Sequence, residues 1–237
     1  MSSLFHEFLY RPLVNGLMFL YTTVAFEDFG IALILLTVLV RVVLFPFFYR
    51  GFRNQTILQR LQPEVKRIQD RHKHSKEEQA RALLELYRAH RINPFSGFLL
   101  ILVQLPILIA LYRVFSKGIS GIAREDLYGF ISFPAAPSDM FLNLINLNDS
   151  SIIIVGLAAV AQFVQGKLAL PRGGGGNDMA ARMGRNMLFV GPLLTLFIFW
   201  SLPAATSLYW FVSSLFSVVQ QFYINKSLAG HTVANGT

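Results

Sequence analysis

The chain contains no cysteine. That absence excludes disulfides, thiolate metal sites, a cysteine nucleophile and a lipoprotein-type cysteine anchor. Charge is scarce as well: Asp, Glu, Lys and Arg supply 14% of the residues against 54% that are hydrophobic, and the mean hydropathy is +0.49. His6, His72, His74, His90 and His231 all lie outside the long apolar runs, and HExxH, GxSxG and GxxxxGK patterns are missing. His72 and His74 have no companion ligands at metal spacing and read as a solvated face. The glycine run 173–176 lacks the strand-to-helix setting of a nucleotide loop and reads as linker. The sequence therefore predicts no enzyme, no metal and no cofactor. What remains, in a chain of 237 residues, is the composition of a polytopic all-α membrane protein.

The most informative stretch is Ile31 to Tyr49, an apolar run of nineteen residues with Arg41 near its middle. As a helix it covers roughly 28 Å, close to the ~30 Å hydrocarbon thickness of a bilayer. A lone guanidinium there costs roughly 3 kcal/mol on insertion scales and more than ~10 kcal/mol in simulations of an isolated helix. Snorkelling is a long reach from that position. The sequence predicts that Arg41 faces water or a polar partner inside the fold.

Residues 1–29 carry a short apolar segment, Leu13 to Phe26, broken by Asn15 and Gly16. It predicts an amphipathic helix at the membrane interface, with an uncleaved signal anchor as the alternative. The first transmembrane helix is expected over 30–50. From Arg50 to Arg91 the composition turns to eleven Lys/Arg and five Asp/Glu. Pro63 suits a first helical turn, and Ser75 with Glu78 forms a capping box, so 51–93 reads as a cytoplasmic helical hairpin. The second transmembrane helix follows over 94–116, with Pro106 inside it, and a polar extracytoplasmic loop over 117–149. The third helix is expected over 150–170 and a Gly-rich cytoplasmic loop over 171–185. No charged residue then occurs for forty positions, Asn186 to Asn225. One helix of that length would reach roughly 60 Å, twice the bilayer. Ser201-Leu202-Pro203 is the expected break, giving a fourth helix over 186–202, a fifth over 203–225 and a tail over 226–237.

With five spans the termini lie on opposite sides. The hairpin, the Gly-rich loop with its flanks and the tail hold sixteen of the twenty-one Lys/Arg, whereas the other side holds Arg11, Arg113, Lys117 and Arg124. The positive-inside rule puts the amino terminus outside and the carboxyl terminus in the cytoplasm.

Polar residues inside the spans mark a candidate groove. Thr37 is one turn before Arg41 on the same face, although a helix threonine commonly bonds its own backbone. Gln104 is the strongly polar side chain of the second span, and Gln162 and Gln165 sit three apart on the third. On the fifth span Thr206/Ser207, Ser213/Ser214 and Gln220/Gln221 recur every seven residues, aligning a stripe along one helix face. Such residues also serve plain helix packing. Tyr209 and Trp210 suit either an interfacial belt or a groove wall.

The blocks YRPLVNGLMFLY, GIALILLTVLVRVVLFPF, LQPEVKRIQDRH, NPFSGFLLILVQLPILIALYRVF and LPAATSLYWFVSSLFSVVQQFYI together resemble the YidC/Oxa/Alb membrane protein insertases, in order and spacing over nearly the whole chain. The resemblance implies five transmembrane helices around a polar groove that is open to the cytoplasm and lipid and sealed outside. Within it, Arg41 corresponds to the groove arginine, with Thr37 beside it, Gln104 on the second span and Trp210 on the last; Gln162, Thr206 and Ser213 complete the candidate substrate groove. The implied activity is integration of nascent membrane proteins into the bilayer without nucleotide hydrolysis, in the plasma (inner) membrane of a bacterium. Implied partners are nascent membrane protein substrates, the lipid bilayer, the ribosome and the general secretion translocon, with no nucleic-acid specificity. The family's often basic carboxyl tail has no counterpart in residues 226–237. A small-solute transporter or channel is the alternative that an intramembrane arginine would equally suit, but no internal repeat supports it.

Overall fold

The computed structural model describes residues 3–169 and 179–234, and these are mostly helical. The chain opens with α1 (Ser3–Phe5), a π-helical turn (His6–Tyr10) and α2 (Arg11–Thr23), with Pro12 in the first turn of α2. Leu13, Val14, Leu17, Met18 and Tyr21 bury one face of α2, packed against α3 (Phe29–Val43). The segment expected to lie on the interface therefore places its apolar face inside the protein, while Leu4, Phe8 and Phe19 stay exposed. Asn15 is a clamp. Its amide donates to the carbonyls of Arg11 at 2.7 Å and Asp126 at 2.8 Å, and its oxygen accepts from the amide of Tyr128 at 2.6 Å.

The nineteen-residue apolar run is not one helix. α3 ends at Leu44, and α4 (Phe45–Arg60) leaves at 70°. Pro46 is the cause: it carries no N–H for the helical ladder, and its ring excludes the carbonyl four residues back. Arg41 consequently stands in the last turn of α3, beside the bend, and not at the centre of a straight span. α5 (Gln62–Arg71) and α6 (Lys76–Ala89) follow and pack against each other as a helical hairpin. Ser75 Oγ accepts from the Glu78 amide at 3.3 Å, but the Glu78 carboxylate pairs with His72 Nδ1 at 3.2 Å, so only half of the capping box is used.

α7 (Ser96–Phe115) and α8 (Ile152–Ala169) are each long and apolar enough to cross a membrane; the bent pair α3–α4 makes a third if counted as one span. α9 (Met179–Phe199) contains the shorter apolar stretch Leu188–Phe199. The loop expected over 171–185 lies outside the described residues as far as 178, and from Met179 the backbone is helical. α10 (Ala204–Ala234) starts after Pro203 and continues well into the segment read as a tail. α10 packs on α8 and α3, α8 on α9, and α4 on α7.

Between α7 and α8 the chain makes two 3-10 turns (Ile119–Gly121 and Arg124–Asp126) and a two-stranded antiparallel ladder, β1 (Met140–Phe141) with β2 (Ile145–Asn146). Met140 pairs with Asn146 and Phe141 with Ile145. This loop is tied down on three sides. Asp28 caps α3 through the Ile31 amide at 2.9 Å and accepts from the Leu142 amide at 2.5 Å. The Ser138 amide donates to Tyr21 Oη at 2.9 Å. The first amides of α10, Ala204 and Ala205, donate to the carbonyls of Asp149 at 2.7 Å and Leu147 at 3.0 Å. At Gly30 the contact is so close that an added Cβ would come within 2.1 Å of the Phe141 ring.

Two apolar clusters hold the helices. The larger includes Leu17, Tyr21, Phe29, Leu36, Ile107, Phe115 and Tyr209; the smaller is Phe48, Phe52, Leu100 and Ile224.

Candidate functional site

Along three helices in turn, polar residues fall between those two clusters. Arg41 lies between Leu36 and Phe48, Gln104 between Leu100 and Ile107, and the α10 stripe between Tyr209 and Ile224. Arg41 is only 7% exposed. Its Nη2 donates to Gln104 Oε1 at 3.4 Å, and the Gln104 amide nitrogen donates in turn to Tyr209 Oη. The guanidinium carbon stands 4.3 Å from the centre of the Phe48 ring, an arrangement suited to cation–π attraction. Nη1 has no partner, and among the described residues no carboxylate lies within ion-pair distance of Arg41.

The stripe on α10 faces inward. Thr206, Ser207, Ser213, Ser214, Gln220 and Gln221 are all buried. Among the described residues, Thr206 Oγ1, Ser207 Oγ and both polar atoms of Gln220 have no hydrogen-bond partner, and neither has Trp210 Nε1. Left dry, each such group costs about 1–3 kcal/mol. Ser217 Oγ donates to the Ser213 carbonyl at 2.9 Å. Trp210, half-buried, sets its ring 5.2 Å from that of Phe199.

The other expected residues are distributed as follows. Thr37 is buried beside Arg41, and its hydroxyl donates to the Leu33 carbonyl at 2.7 Å, leaving it an acceptor. Gln162 does not meet Arg41: it accepts from Thr195 Oγ1 at the α8–α9 contact. Sequence reasoning did not single out Phe48, or Tyr209 as a hydrogen-bond partner, because aromatic residues in apolar runs give no signal of which ring meets a cation. It also missed a second polar tie at the hairpin neck. Gln221 Nε2 donates to Thr56 Oγ1 at 2.8 Å and to Asn225 Oδ1 at 3.3 Å, and Asn225 Nδ2 donates to the Leu168 carbonyl at 2.7 Å. The seven-residue period that ends in Gln220/Gln221 already pointed there.

Apolar helices that turn hydrophobic side chains outward, and a buried arginine with no carboxylate beside it among the described residues, define a class: an α-helical integral membrane protein with buried polar residues. The chain belongs to the family described as "60Kd inner membrane protein", whose sequence pattern matches residues 19–231. That membership and the apolar helices assign it to a bacterial membrane. A relative from Fusobacterium nucleatum, "Membrane protein insertase YidC", is 33% identical over 93% of this chain and 98% of its own length. Proteins of the same name from Wolinella succinogenes and Geobacter metallireducens are 32% and 27% identical over 94% and 92% of this chain. This chain spans 38% and 37% of the length of those two. The solved structure titled "Active YidC insertase crystal structure with the first transmembrane domain resolved" matches with a TM-score of 0.62 and 23% identity, over 90% of this chain and 45% of that one. It shows the shared fold.

Proposed function

We propose that this protein is a membrane protein insertase that works without nucleotide hydrolysis and without a catalytic residue, giving nascent membrane proteins a hydrated path into the bilayer. The observation that carries the reading is Arg41, buried, with one nitrogen unpartnered and no carboxylate beside it among the described residues, packed against a helix whose inner side carries unpartnered hydroxyls and the Gln220 amide among those residues. Water or substrate is the complement such groups need. Arg41, Thr37, Gln104, Thr206, Trp210 and Ser213 form the groove in this reading, with Tyr209 and Phe48 fixing the guanidinium; Gln162 borders it on α8.

Five spans enclose the groove: α3 with the start of α4, then α7, α8, α9 and α10. Each presents exposed apolar side chains suited to lipid, among them Val43, Leu102, Val160, Phe197 and Val219. The amino terminus is outside, by the charge distribution. The loop fastened to α2, α3 and α10 then closes the outer end, and the groove communicates with the cytoplasm past α4 and the hairpin. A substrate's polar outer segment is held near Arg41 while its apolar helix moves against the spans into lipid. The groove lowers the barrier because polar groups avoid the several kcal/mol cost of hydrocarbon. Apolar burial drives the process, and for acidic segments the membrane potential adds ~2.3 kcal/mol per charge per 100 mV. Ribosome and secretion translocon are the partners expected on the cytoplasmic side and within the membrane.

Reconstitution tests the reading. Purified full chain in liposomes should integrate a short single-span substrate to a protease-protected state while passing no small solutes. Solute flux without integration would assign the site to a transporter or channel.

A further inference from the structure

A polar cavity that Arg41 does not line lies at the Phe115 end of α7. About 310 Å³ in volume, it is lined by His6, Tyr10, Arg113, Ser116, Lys117 and Asp126. That is within the usual range for a small-ligand site, roughly 300–1,000 Å³. Its one carboxylate is that of Asp126, whose Oδ1 stands 2.9 Å from His6 Nε2. Arg113 and Lys117 have no carboxylate within ion-pair distance among the described residues. Both stems are supported. The Arg113 guanidinium stands 5.6 Å from the centre of the Phe5 ring. Lys117 lies against Gly121, where an added Cβ would come within 2.5 Å of the lysine Cβ. Burial first, and then Asp126, push the Tyr10 phenol above its ordinary pKa, with Arg113 pulling the other way. Tyr10 is therefore held as a hydroxyl donor.

Two unpaired cations and a phenol donor converging on one cavity match an oxyanion such as phosphate. The position selects the source. Arg113 and Lys117 close an apolar helix long enough to cross a membrane, and the end of such a span meets the lipid headgroups. Leu105, Ile109 and Tyr112 are exposed, and their spacing makes an apolar ridge on α7 that leads to Ser116.

We propose that this cavity binds the phosphate of an anionic phospholipid, whose acyl chains lie along the Leu105–Ile109–Tyr112 ridge. The site depends on the end of α7 and not on whether the groove inserts proteins.

The test is native mass spectrometry of the purified, delipidated full chain titrated with phosphatidylglycerol, phosphatidylcholine or inorganic phosphate. Phosphatidylglycerol should bind in preference to phosphatidylcholine. The double variant Arg113→Gln/Lys117→Gln should lose roughly thirtyfold in affinity, whereas Arg113→Lys/Lys117→Arg should keep it; thermal unfolding checks that each variant folds. Equal binding by parent and double glutamine variant, or equal affinity for the two lipids, overturns the proposal. Displacement of phosphatidylglycerol by equimolar inorganic phosphate also overturns it, assigning the cavity to a free anion.

Discussion

Replacing Arg41 by alanine removes a cation whose effect on a substrate can be worked out from its surroundings. A substrate carboxylate drawn to about 5 Å from a guanidinium gains about 3 kcal/mol at an effective dielectric near 20, a factor of roughly 150 in residence. In full water the gain falls to about 1 kcal/mol, roughly fivefold. Arg41 is 7% exposed among unpartnered polar atoms, so its groove lies between these limits. Two single-span substrates, one with a neutral outer tail and one with an acidic tail, should be compared by initial insertion rate into proteoliposomes. Arg41→Ala should slow the acidic substrate by about 5- to 150-fold and leave the neutral one within about twofold of the parent. Arg41→Lys should keep the acidic preference. It loses the planar fork that reaches Gln104 while stacking on Phe48, a positioning loss on the order of 1 kcal/mol. Equal slowing of both substrates by Arg41→Ala would refute the electrostatic role, and unchanged thermal unfolding must accompany any result.

Gln104→Leu preserves volume but removes both bonds of the relay and leaves Tyr209 Oη buried without that donor. A loss of about 1–3 kcal/mol is expected in detergent unfolding, and Tyr209→Phe in the same chain should recover part of it. Gly30→Ala drives a methyl into the Phe141 ring; about 1–3 kcal/mol of destabilisation is expected, relieved by Phe141→Ala. Asn15→Ala cuts three hydrogen bonds, two of which join α2 to the loop. Hydrogen exchange at the Tyr128 amide should accelerate while that of the hairpin α5–α6 does not change, and uniform acceleration would show global unfolding instead.

Much of the helical plan was legible in the sequence because its signals are local. Apolar length defines α7 and α8, Pro203 separates α9 from α10, and Ser75 opens α6. The bend at Leu44 was encoded in Pro46 yet read through, because hydropathy averaged over Ile31–Tyr49 does not register a missing N–H. α10 was marked by its freedom from charge and not by high hydropathy, because its inward polar stripe lowers the average of a helix that is apolar outside. Asn15 looked like a break and is a tether, since its partners Asp126 and Tyr128 lie more than a hundred residues away in sequence. In the site, Arg41 was conspicuous as a charge in an apolar run. Its neighbours Phe48 and Tyr209 were not, because only the bend and the packing of α7 on α10 decide which aromatic meets it.

The cysteine-free chain permits a direct measurement of whether Arg41 shares a water-accessible, one-sided chamber. A single cysteine at Ser213, buried on the inner stripe, is compared with one at exposed Val160 on the apolar α8 for reaction with a charged, membrane-impermeant thiol reagent applied from either face of oriented vesicles. Modification at position 213 from the cytoplasmic face alone, faster than at position 160, is the expected result. No modification at 213 from either face, or modification only from outside, would contradict a hydrated groove open to the cytoplasm.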